Sequence, residues 1–71
     1  MSTFLCPVDD YTDVYILAVN ASNYVEAQDK IEEQIRENYD DIPITGNWND
    51  FVKKATYKDI YLGNIYDKDE F

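Results

Sequence analysis

"VYILAVNASNYVEAQDKIEEQIRENY", residues 14–39, changes its hydrophobic period partway along. Over Val14 to Asn20 the period is two: Val14, Ile16 and Ala18 point one way, Tyr15, Leu17 and Val19 the other. Both faces are apolar, which predicts a strand covered on both sides and interior to its sheet. After Asn20 the spacing becomes three and four. Tyr24, Ala27, Ile31, Ile35 and Tyr39 form one apolar stripe, the mark of an amphipathic helix. Asn23 with Glu26 three residues on is a capping-box pattern that starts this helix. It should run from Tyr24 to Tyr39 and stop near Asp40, ahead of the Ile42-Pro43 bond.

Working outward, Ser2 to Cys6 reads as a short apolar segment stopped by Pro7, and "VDDYTD" as a turn. Downstream, "DIPITGN" is a connection broken at Gly46. "NWNDFVKKAT" predicts a second helix, with Asn47 as cap and Trp48, Phe51, Val52 and Ala55 at i, i+3, i+4 and i+7. "YKDIYLGNIYD" returns to strand chemistry. Gly63-Asn64 reads either as a two-residue hairpin turn or as a bulge in one long strand. The charged end, Asp67 to Phe71, is expected to fray. The whole of 1–71 is expected to be one compact α+β domain. Two helices should pack on a small antiparallel sheet of about three strands, in the order β-β-α-α-β.

Composition narrows the functional classes. The chain has 15 acidic and 6 basic residues, a net charge of -9, and 15% aromatics. The aromatics argue against disorder. The charge argues against direct binding to nucleic acid, which needs Lys and Arg on its phosphates, and against an anionic membrane surface. It favours a basic partner. No apolar run suits a signal peptide or a membrane span, so a cytoplasmic protein is expected.

The acids are not spread evenly. Residues 26–41 carry seven carboxylates and two cations. At about 100° per residue, Glu26, Asp29, Glu33, Glu37 and Asp40 share one sector opposite the apolar stripe. Like charges four apart each cost a few tenths of a kcal/mol. Glu37, Asp40 and Asp41 also lie near the negative end of the helix dipole. At 1.5 Å per residue the segment spans about 22 Å, so a net -5 is one charge per about 4.5 Å. A nucleic-acid strand carries one per about 3.4 Å and a duplex one per about 1.7 Å. Asp9, Asp10 and Asp13 in the turn, and Asp67, Asp69 and Glu70 in the tail, are the acids that could extend such a surface. The plain alternative is a solvated helix face.

Other features carry less. Of the seven tyrosines, Tyr11, Tyr57 and Tyr66 are expected to be the exposed ones and the rest structural. Trp48 reads as core, and Cys6 as a small buried hydrophobe with no His to activate it. Asp9, Asp10 and Asp13 lack the glycine and closing Glu of a calcium loop. No catalytic residue, cofactor site or metal site is expected, and the chain is read as a non-enzyme.

In composition alone, the chain is similar to phage-encoded antagonists of bacterial nucleases, anti-CRISPR and anti-restriction proteins among them. That likeness implies a small acidic inhibitor, in the host cytoplasm, occupying the nucleic-acid-binding surface of a basic host protein. The expected site is Glu26, Asp29, Glu33, Glu37 and Asp40, with Asp9, Asp10 and Asp13 beside them. The chain itself is expected to be a monomer or homodimer. The alternatives are a structural module that dimerises through an edge strand, and an antitoxin-like partner of a basic protein.

Overall fold

The computed structural model describes residues 1–39, 41–43 and 45–70. The observed order is β-β-α-α-β, with the final strand in two pieces: β1 (Ser2–Asp9), β2 (Val14–Ala21), α1 (Tyr24–Asn38), α2 (Trp48–Tyr57), β3 (Tyr61–Leu62) and β4 (Tyr66–Asp67). A 3-10 turn, Lys68–Glu70, follows β4. The sheet is antiparallel, as expected, and both helices pack on one face of it, α1 over β2 and α2 over β3.

The strand order departs from the sequence reading. β1, not β2, is the interior strand: it pairs with β2 on one side and with β3 and β4 on the other. Among the described residues β2 has no strand on its outer side. Its second apolar row is uncovered because both helices lie on the other face, and Val14 is 77% and Ile16 58% exposed. Pro7 does not stop β1, which runs on to Asp9. The pairing explains why a central proline is tolerated. The Pro7 carbonyl accepts from the Gly63 amide at 2.8 Å, so its missing N–H also faces the β3–β4 side. There the ladder is interrupted. Val8 pairs with Leu62 but Leu5 with Tyr66, so the last strand carries one extra residue across this gap. Both pieces run antiparallel to β1, and Gly63-Asn64 is therefore part of a bulge, not a hairpin turn.

The helices begin where the caps predict. The Asn23 side-chain oxygen accepts from the Glu26 amide at 2.9 Å, and that of Asn47 from the Asp50 amide at 3.2 Å. Helix α1 buries Ala27, Ile31 and Ile35 completely. Helix α2 buries Phe51 and Ala55, while Trp48 is only half-buried and stacks on Phe51 with centroids 6.0 Å apart. Cys6, Val8, Ile31, Ile35, Phe51, Ala55, Ile42 and Ile60 make up the main core. Truncating Ile31 to Ala would cost about 2–5 kcal/mol at such a site. The Cys6 thiol is buried, and desolvation pushes its pKa up to about 11, so it behaves as a core hydrophobe.

The C-terminal end was expected to fray. Through Glu70 it follows β4 and the 3-10 turn. Asp67 pairs with Phe4, and the Tyr24 hydroxyl donates to Glu70 Oε2 at 3.1 Å. Tyr24 in turn meets the Phe4 ring edge-on at 4.8 Å. Phe71 lies outside the described residues.

Candidate partner-binding surface

The acidic stripe follows from how α1 is seated. With Ala27, Ile31 and Ile35 turned onto the sheet, the opposite sector must face water. Asp29, Glu33 and Glu37 are exposed there, and Glu26 is half-buried. Asp40 lies outside the described residues. Two cations of α1, Lys30 and Arg36, flank the stripe, and Lys30 is already engaged. Its ammonium lies 3.3 Å from Glu26 Oε1 and donates to the Asn20 carbonyl. That is the one ion pair among the described residues. The Glu33 and Glu37 carboxylates are thus left without a cationic partner in this set.

A shallow groove runs beside this stripe. It is lined by Val19 and Asn20 of β2 and by Lys30, Glu33, Gln34 and Glu37 of α1. The helix therefore forms an acidic wall along the outer edge of β2. The sequence reading missed this edge, because which strand ends a sheet depends on pairing between distant segments. The local composition pointed the other way: Val14 to Ala21 contains no charge and no proline, the devices that normally guard an edge.

The turn aspartates have a different role from the helix acids. Asp9 Oδ1 accepts from the Tyr11 amide at 2.9 Å. Asp10 Oδ1 accepts from the amides of Thr12 at 3.1 Å and Asp13 at 2.6 Å. These bonds close the β1–β2 turn around Tyr11, which sits at φ 76°. Asp10 Oδ2 also accepts from the Tyr39 hydroxyl at 2.9 Å. The Tyr15 hydroxyl, 2.7 Å from that of Tyr39, completes the chain by donating to it. The Asp13 amide, then Tyr39, hold the Asp10 carboxyl below its ordinary pKa. Burial, then the bonds to Tyr15 and Asp10, push the Tyr39 hydroxyl above its own. Asp10 thus ties the turn to the end of α1 and Asp9 helps to close the turn locally, while Asp9 and Asp13 are both exposed.

One further acid stands apart. Glu32 lies on the flank of α1 and its Oε1 is buried without a hydrogen-bond partner among the described residues. Desolvation first, then the nearby Asp29, raise its pKa, and Arg36 only partly offsets them.

Of the tyrosines expected to be exposed, Tyr11 and Tyr57 are, but Tyr66 is half-buried on β4, and Tyr24 and Tyr61 are exposed as well. Among the described residues no group of three or more His, Cys, Asp or Glu side chains is placed to hold a metal ion. No described helix is long and apolar enough to cross a membrane. No known protein family matches the sequence, and no curated protein or solved structure matches it.

Proposed function

We propose that the protein is a small, non-catalytic binding protein whose α1 face occupies a basic, nucleic-acid-binding surface of a partner protein and blocks it. The observation that carries this reading is the exposed row Asp29, Glu33 and Glu37, with Lys30, one of the two cations flanking it, already committed to Glu26 and the Asn20 carbonyl. A row of one sign on a rigid helix offers a fixed charge spacing to Lys and Arg side chains that otherwise hold phosphates. Charge complementarity of this kind speeds encounter and selects basic partners over others. The net charge of -9 keeps the chain away from nucleic acid itself.

The test is affinity capture from a bacterial lysate with the immobilised protein, washed at 0.1 M and at 1 M salt. The expected result is a basic protein retained at low salt and released at high salt, because the Debye length falls from about 10 Å to about 3 Å. The captured protein should lose its hold on nucleic acid when the acidic protein is added. Capture of a neutral or acidic partner, indifferent to salt, would reject the reading.

A further inference from the structure

The hydrogen-bond parity of the sheet shows what the outer edge of β2 offers. Asp10 donates its amide to the Asp13 carbonyl at 3.1 Å, so that pair is of the hydrogen-bonded kind. Pairs alternate along an antiparallel ladder. Asp9–Val14, Pro7–Ile16, Leu5–Ala18 and Thr3–Asn20 are therefore the non-bonded pairs, whose backbone groups turn away from each other. The Pro7 carbonyl agrees, since it turns to Gly63 on the far side. So does the Asn20 carbonyl, which turns out to meet Lys30. The N–H and C=O groups of Val14, Ile16 and Ala18 consequently point out from the edge, where no described residue pairs with them.

The two sides of this edge differ in chemistry. On the helix side stand Glu33, Gln34 and Glu37 of the groove wall, with Lys30 held by Glu26 and the Asn20 carbonyl at its Asn20 end. On the helix-free side stand the exposed side chains of Val14, Ile16 and Ala18. A strand added here would alternate its side chains between the two. A second copy of this chain fits poorly. Two β2 strands meeting about a two-fold axis would bring both α1 walls, each with Glu33 and Glu37, to the same side, between molecules of net charge -9.

We propose that the β2 edge takes an extended segment of the basic partner as an added strand, its Lys or Arg side chains against Glu33 and Glu37 and its alternate apolar side chains beside Val14, Ile16 and Ala18. This rests on the basic-partner reading above and gives it a backbone component. In this mode main-chain hydrogen bonds supply affinity and the alternating side chains supply selectivity.

The test uses a capped eight-residue peptide alternating Lys and Val, with an alternating Glu and Val peptide as control. Amide exchange of the whole protein is read residue by residue. The Lys peptide should slow exchange at Ile16 and Ala18, and the Glu peptide should not. Ile16→Pro removes only an outward N–H, so the β1 ladder survives, and it should weaken the Lys peptide at least tenfold. Should Ile16→Pro unfold, Ile16→Lys leaves the backbone intact, puts a charge on the exposed side and should weaken the same peptide severalfold. Binding that is equal in these variants and leaves those amides unprotected overturns the edge proposal while the acidic-surface reading stands. Binding lost in Ile16→Pro but unchanged in the Glu33→Lys, Glu37→Lys double variant overturns the basic-partner reading instead. Absence of binding, or protection of these amides by concentration-dependent dimerisation without peptide, overturns the proposal.

Discussion

Gly63 lies directly across from Pro7: its amide donates to the Pro7 carbonyl at 2.8 Å, and a Cβ placed on it would stand 3.1 Å from the Pro7 Cγ and 3.2 Å from both Cβ and Cδ. The proline puts a ring without a donor into the central strand. The glycine lets the last strand approach that ring before it bulges. Gly63→Ala should therefore overpack this crossing and cost about 1–2 kcal/mol. Replacing Pro7 by Ala removes the Cγ and Cδ that the new methyl meets. In a Pro7→Ala background the cost of Gly63→Ala should fall by at least half, which a double-mutant cycle in urea would read directly. Equal costs in both backgrounds would mean that the two residues do not constrain each other.

The Asp10–Tyr39–Tyr15 chain makes part of the stability depend on acid. The Asp10 pKa is lowered in the folded state from its ordinary 3.8. The folded state therefore binds fewer protons than the unfolded one. The contribution of Asp10 is full above the unfolded value and is lost as pH falls through the folded one. Asp10→Asn keeps an oxygen for the turn but removes the charge. Its urea midpoint should lie below the parent's at pH 7, and the gap should close as the pH is taken below 3.8. A gap of constant size down to pH 2 would locate the effect in packing, not in ionisation.

Glu32 has the opposite sign. Its folded pKa is raised above 4.5, so ionisation penalises the folded state above that value and the penalty is relieved as pH falls. Among the described residues its Oε1 has no partner to offset the loss of water. Glu32→Gln should raise the melting midpoint at pH 7 by roughly 2–4 °C and leave it unchanged near pH 4. A lowered midpoint at pH 7 would show that the carboxylate has a use in the folded chain.

What the sequence reveals about this protein divides along the range of the interactions concerned. Both helices, both Asn caps and the buried trio Ala27, Ile31 and Ile35 follow from neighbours within a few residues, and these were legible. The position of β2 was not. Its two apolar rows describe a strand with hydrophobic faces, and nothing in Val14 to Ala21 says whether another strand lies alongside. Pro7 misled for a related reason. A missing donor ends a strand only if a ladder bond is needed there, and the bulge at Gly63, 56 residues later, removes that need. The acidic stripe was legible as a period. The tie of Asp10 to Tyr39 was not, because that bond spans 29 residues and is set by the tertiary fold, unlike the local turn bonds of Asp9 and Asp10.

The helix acids provide the decisive functional test, because stability and binding should respond in opposite directions. Glu33 and Glu37 are exposed and four residues apart, so they repel each other, and Glu37 lies in the last turn of α1 near the negative end of its dipole. Replacing both by Lys leaves a like-charged pair at this spacing, but it turns the Asp29–Glu33 repulsion into an i, i+4 attraction and puts cations where the dipole favours them. The melting midpoint should hold or rise by a few degrees, corresponding to about 0.5 kcal/mol. Lys30, still paired with Glu26, should keep its place against the Asn20 carbonyl. Binding to a basic partner should fall by at least tenfold at 0.1 M salt, and the partner should regain its access to nucleic acid. Most of the loss should appear in the association rate, where long-range charge acts. A variant that melts as predicted yet binds and blocks as well as the parent would reduce this face to solvated surface. The contact would then be sought on the helix-free side of the sheet, around Ile16 and Tyr61.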